Sequence, residues 1–142
     1  MNARPAKKLA ILACMDTRLV PIRVLGLEVG DAHIIRNAGG IATDDAIRSL
    51  AISQRKLGTE EIVLLHHTDC GMTKFTDAEF VQELENEVGA PPEWSPGAFA
   101  DIDGSVRESI RRIRESPFIL HKNVRGFVYS VEDGSVREVS EA

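Results

Sequence analysis

Lys8 to Cys14 reads Lys-Leu-Ala-Ile-Leu-Ala-Cys, an apolar run of strand length that stops against Asp16 and Arg18. A run without polar alternation suits a strand buried on both faces, as in a parallel sheet covered by helices. Glu61-Ile62-Val63-Leu64-Leu65-His66 repeats the pattern, and His33 to Arg36 is a shorter strand after the turn Gly26 to Gly30. Strands of this kind require crossover connections, read here as a loop between the first two strands and helices between the later ones.

The helices are legible from their ends. Thr43, Asp44 and Asp45 suit a first turn, Ile47, Leu50, Ala51 and Leu57 share one face, and Gly58 ends the segment. Thr76 to Val88 is helical, with Asp77 near its start and Gly89 at its end. Ser105 to Glu115 carries the apolar stripe Val106, Ile110 and Ile113 and stops before Pro117. Val124 to Val131 is a strand, and Asp133-Gly134 turns the chain into a last strand, Val136 to Val139. The expected fold class is α/β, with a mainly parallel central sheet flanked by helices and an antiparallel C-terminal edge. The 142 residues form a single domain, 1–142, with 43% apolar residues to fill its core.

Charge narrows the partners. Seventeen Lys and Arg against 22 Asp and Glu give a net charge of −5, with no basic stripe for a nucleic-acid backbone. No apolar run approaches the roughly 18 residues needed to span a bilayer. Arg4, Lys7 and Lys8 before Leu9 to Cys14 imitate a short leader, but the apolar stretch is brief and ends at charged residues, so a cytoplasmic protein is expected. Two cysteines and four histidines leave room for one mixed metal site, one redox pair or two inert core thiols.

In open α/β sheets chemistry gathers beyond the carboxyl ends of the strands. The first strand runs into Cys14-Met15-Asp16-Thr17-Arg18, and the strand from Glu61 runs into His66-His67-Thr68-Asp69-Cys70-Gly71. Cys14, His67 and Cys70 make a set of two sulfurs and one nitrogen. Zinc suits those donors, at about 2.3 Å to sulfur and about 2.0–2.1 Å to nitrogen, and three ligands leave one position for chemistry.

Cys-x-Asp-x-Arg after the first strand, Arg36-Asn37-Ala38-Gly39-Gly40, and His-x-x-Cys-Gly after a later strand together resemble the β-class carbonic anhydrases, over roughly Leu9 to Thr73. The resemblance implies one Zn2+ per chain on Cys14, His67 and Cys70, with Asp16 and Arg18 as the catalytic dyad. It implies reversible hydration of carbon dioxide to bicarbonate by hydroxide on zinc, in a homodimer or homotetramer. It also implies that Arg18 holds Asp16, which otherwise swings onto the zinc and closes the site.

Three features depart from common family patterns. Only 13 residues precede Cys14, so the N-terminal arm used across many dimers is short or missing; Met72 stands where a second Gly is usual; and Ile11 replaces a Trp associated with a separate bicarbonate pocket. Carbonyl sulfide or carbon disulfide therefore stays open as an alternative substrate of the same site. A non-catalytic zinc module and a Cys14–Cys70 redox dithiol are the competitors from other classes.

The remaining residues receive plainer readings. His66 points away from His67 as a core residue or a support for the ligands, and His33 and His121 are ordinary. Asp69 caps the turn that follows it or hydrogen-bonds near the zinc. Gly39-Gly40 makes a tight turn or, less simply, offers backbone N–H groups to an anion. Glu79 to Glu87 is a solvated face, and Trp94, Pro96 and Phe99 line a cavity mouth or a subunit contact.

Overall fold

The structure is a computed structural model, and residues 3–141 are described. The strands are β1 (Leu9–Cys14), β2 (Ala32–Asn37), β3 (Glu61–His67), β4 (Asn123–Tyr129) and β5 (Val136–Glu138). The α-helices are α1 (Pro21–Val24), α2 (Asp44–Leu57), α3 (Asp77–Val88) and α4 (Ile102–Glu115). Single 3-10 turns cover Ala38–Gly40 and Gly71–Thr73.

One sheet runs in the order β2-β1-β3-β4-β5, parallel through β4 and antiparallel at β5, as the sequence pattern requires. β1 lies between β2 and β3 and is buried along almost its whole length, which is why its sequence does not alternate. Its register sets Ala13 against both Arg36 and Leu65. The chain beyond Cys14, beyond Asn37 and beyond His67 therefore emerges at one end of the sheet.

The two faces are covered unequally. Ala10, Leu12, Ile62, Leu64 and Val124 pack beneath Leu50 of α2 and Val106, Ile110 and Ile113 of α4. At Gly126 of β4 the helix rides on the strand so closely that a Cβ would lie 2.2 Å from Val106 Cγ1. On the other face Ile11, Ala13, Leu19, Leu65 and Met72 are buried, but Leu9, Ile34, Val63, Phe127 and Tyr129 are covered only in part. No residue of α3 is fully buried: its acidic residues from Glu79 to Glu87 are exposed, while Phe80, Val81 and Leu84 are half-buried on the other side.

Local chemistry explains the boundaries. Thr43 Oγ1 accepts from the Ala46 N–H, acidic residues fill the first turn of α2 and Arg55 and Lys56 its last, and Gly58 closes it at φ +80°. Thr76 and Gly89 do the same for α3. The helix α1 goes beyond the sequence reading, although Pro21 at its first position is a recognised start signal. α4 begins at Ile102, three residues before the expected Ser105, because Gly104 is tolerated in a first turn that Asp101 opens. Among the described residues no helix is long and apolar enough to cross a membrane.

Candidate metal centre

β1 ends in Cys14 and β3 ends in His67, so the sheet itself delivers two of the three expected donors to one edge. Cys70 returns to them because Asp69 adopts φ +51°, a left-handed conformation that Asp tolerates better than most side chains. The Cys14 and Cys70 sulfurs and a His67 ring nitrogen all lie within 4.8 Å of one another, a span that one ion can bridge. All three residues are buried, at 4%, 0% and 2% exposure for Cys14, His67 and Cys70, and both cysteines are free thiols.

The donor chemistry fits a divalent ion. His67 Nδ1–H donates to the Thr68 carbonyl at 2.7 Å, which fixes the ring and leaves Nε2 with its lone pair. That Nε2 is buried without a hydrogen-bond partner among the described residues. A buried acceptor left unpaired costs on the order of 1–3 kcal/mol, and a metal ion removes that cost.

The thiols are arranged to carry negative charge. The Cys70 thiol hydrogen-bonds Cys14 and, against the effect of burial, helps bring the Cys14 thiol down to about 4; His67 and the backbone N–H groups of Asp16 and Gly39 act in the same direction. Cys70 is pushed up by that neighbouring thiolate and by burial. Burial opposes charging of His67, but the Cys14 side chain and the Thr68 carbonyl outweigh it and raise the ring. Without metal, protons hold the pair together; a cation takes their place.

Asp16 lies at the rim. Its Oδ2 is 3.7 Å from His67 Nε2, and Arg18 grips both carboxylate oxygens, Nε to Oδ1 at 3.0 Å and Nη2 to Oδ2 at 2.8 Å. The Arg18 backbone N–H adds a bond to Oδ1 at 2.8 Å. The Arg18 hydrogen bonds hold the Asp16 carboxyl well below the usual carboxylate range, and Asp16 with Asp69 raises Arg18 in return.

All five residues singled out in the sequence thus meet at one edge. Two others work there beyond their expected parts. Arg36, at the end of β2, donates Nε and Nη2 to the Cys14 carbonyl at 3.0 and 2.7 Å, and Nη2 to the carbonyls of Asp16 and Leu19 at 2.8 Å each. It ties down the loop that carries both a donor and the dyad. Its signal was an arginine closing an otherwise apolar strand. Asp69 Oδ2 accepts from Arg18 and its Oδ1 pairs with Lys74, which ties the turn before Cys70 to the dyad.

The supporting glycines and His66 hold Cys14 from behind. Gly40, at φ +64°, comes so close that a Cβ there would lie 2.7 Å from the Cys14 nitrogen. Gly39-Gly40 is the expected tight turn, and the Gly39 N–H also faces the Cys14 sulfur. His66 is buried on the other side from His67; its Nε2 donates to the Gly40 carbonyl at 3.0 Å, and burial pushes it down to about 4. His33 bridges Ser53 and the Ala3 carbonyl, away from the centre. Phe99 packs on His66 with ring centroids 5.8 Å apart, while Trp94 is exposed.

The carbonic anhydrase family model matches residues 9–94. Beta-carbonic anhydrase 1 of Mycobacterium tuberculosis is 55% identical over 137 residues, covering 96% of this chain and 84% of that protein. The carbon disulfide hydrolase of Acidithiobacillus thiooxidans is 35% identical over 153 residues, covering 92% and 76%. Among solved structures, the carbonic anhydrase of Streptococcus mutans superposes with a TM-score of 0.92 at 48% identity, covering 99% of this chain and 86% of that one. The motifs at the strand ends, the sheet that brings them together and these likenesses agree: the chain belongs to the β-carbonic anhydrase family.

Proposed function

We propose that this chain is a zinc-dependent carbonic anhydrase that interconverts carbon dioxide and bicarbonate, with Cys14, His67 and Cys70 as zinc ligands and Asp16 and Arg18 as the catalytic dyad. The observation that carries the reading is His67 Nε2, buried with no hydrogen-bond partner among the described residues, set beside two buried thiols and 3.7 Å from Asp16 Oδ2. A bound zinc supplies Lewis acidity that makes a water reactive near neutral pH.

The chain's own residues supply the orientation. Asp16 is ionised throughout the working range, because Arg18 neutralises and grips it. An ionised carboxylate only accepts hydrogen bonds, so Asp16 accepts one from the attacking oxygen and turns that oxygen's lone pair toward carbon. Arg18 reaches the same carboxylate from the solvent side and keeps it from turning inward. Carbon dioxide is neutral, so the net charge of −5 does not oppose its approach.

A homodimer or homotetramer is part of the proposal. The face of the sheet under Ile34, Val63, Phe127 and Tyr129 has only partial cover, and a second copy of the chain would complete it. A cytoplasmic location is part of the proposal, because the apolar run Leu9 to Cys14 is an interior strand of the sheet, held between β2 and β3. The 35% likeness to a carbon disulfide hydrolase favours one second reading, hydrolysis of carbon disulfide or carbonyl sulfide on the same residues. Elemental analysis of the purified protein, with rates on carbon dioxide, carbonyl sulfide and carbon disulfide side by side, tests both. About one zinc per chain and fast carbon dioxide hydration is the expected result; zinc without turnover of any of the three would indicate a structural metal module.

A further inference from the structure

Asp69 lies between two candidate ligands, and its side chain faces the dyad. Its Oδ2 accepts from Arg18 Nη1 at 3.0 Å, and its main-chain oxygen accepts from Arg18 Nη2 at 2.9 Å. Arg18 Nε and Nη2 hold Asp16 from the other side of the same guanidinium. The long Arg18 side chain is 45% exposed, and without a second anchor it has rotamer freedom to lose. Lys74 Nζ sits 2.8 Å from Asp69 Oδ1, occupying one carboxylate oxygen and leaving Oδ2 to Arg18.

We propose that Asp69 is a positioning residue for the dyad: it clamps Arg18 against the turn that carries the ligands, and Arg18 thereby keeps Asp16 turned away from the metal. The inference rests on the metal-site reading above. It couples two loops 51 residues apart, so the position of Asp16 depends on the turn between His67 and Cys70.

The left-handed backbone of Asp69 suggests the variants. Gly and Asn both accept φ +51°, so Asp69→Gly removes the side-chain acceptor, leaving only the main-chain one, without adding backbone strain, and Asp69→Asn keeps a side-chain carbonyl acceptor for Arg18. The readout is thiocyanate titration of the cobalt-substituted protein, followed by its visible spectrum, which reports whether the metal's open position is free and needs no turnover. Asp69→Gly should bind thiocyanate about fivefold more weakly than the parent protein, the size expected of a partly exposed ion pair. Asp69→Asn should stay within about twofold of the parent. An unchanged Asp69→Gly overturns the proposal, and so does equal weakening in both variants. Loss of cobalt by Asp69→Gly also overturns it, because the residue would then organise the ligands instead of the dyad. A parent protein that takes up no cobalt refutes the metal-site reading itself, whereas inactivity on carbon dioxide leaves this test intact.

Discussion

Adding one methyl group at Gly40 should damage this protein more than the same change at any open turn. Gly40 sits at φ +64°, where a Cβ costs roughly 1–2 kcal/mol. That Cβ would also stand 2.7 Å from the Cys14 nitrogen and 2.9 Å from the Ala13 carbonyl carbon. Both are buried main-chain atoms of β1, Ala13 paired on each side and Cys14 with Asn37, so they cannot give way as the end of a side chain can. Overpacking of this kind adds about 1–3 kcal/mol. Gly26 is the control: its φ is +65°, and a Cβ there meets nothing within 4 Å. The unfolded-chain effect of Gly→Ala is common to both and cancels. Urea unfolding of the metal-stripped proteins, followed by far-ultraviolet circular dichroism, should place Gly40→Ala about 1–3 kcal/mol below Gly26→Ala. Equal losses in the two variants would refute the close approach of this turn to Cys14.

Cys14→Ala, His67→Ala and Cys70→Ala should each abolish zinc retention after dialysis, read by elemental analysis, since two remaining donors do not hold the ion. Asp16→Asn should keep its zinc and lose about a hundredfold in carbon dioxide hydration, the low end for weakening a positioned, charge-assisted hydrogen bond to the reacting oxygen. The same variant carries a pH signature. The folded Asp16 carboxyl lies below its unfolded value of about 3.9, so its stabilisation is complete above that pH and is lost as pH falls through the lower folded value. Urea midpoints of Asp16→Asn and the parent should therefore differ at pH 7 and converge in acid. Arg36→Met should lower the stability of the metal-stripped protein by about 2 kcal/mol, because the carbonyls of Cys14, Asp16 and Leu19 lose a common donor.

Much of the fold could be read directly. α2 and α3 begin and end at their capping residues, Thr43 with Gly58 and Thr76 with Gly89, because capping is chemistry between near neighbours. The unbroken apolar runs at Leu9 and Glu61 reported double-sided burial, and the donors stood at the strand ends where such sheets place them. Helix α1 went unread because four residues carry too short a pattern, and Gly104 hid the first turn of α4.

Cys14, Asp16 and Arg18 stand in one short stretch and His67 and Cys70 in another, and it was the family resemblance, not spacing, that joined the two stretches into one candidate site. What Arg36 and Asp69 do was decided by the tertiary structure. Arg36 reaches a loop some 20 residues away, Asp69 meets Arg18 across 51 residues, and Gly40 presses on Cys14 from across a strand boundary. Such contacts depend on strand register and loop path, which arise from packing of the whole chain and leave no periodic trace in the order of its residues.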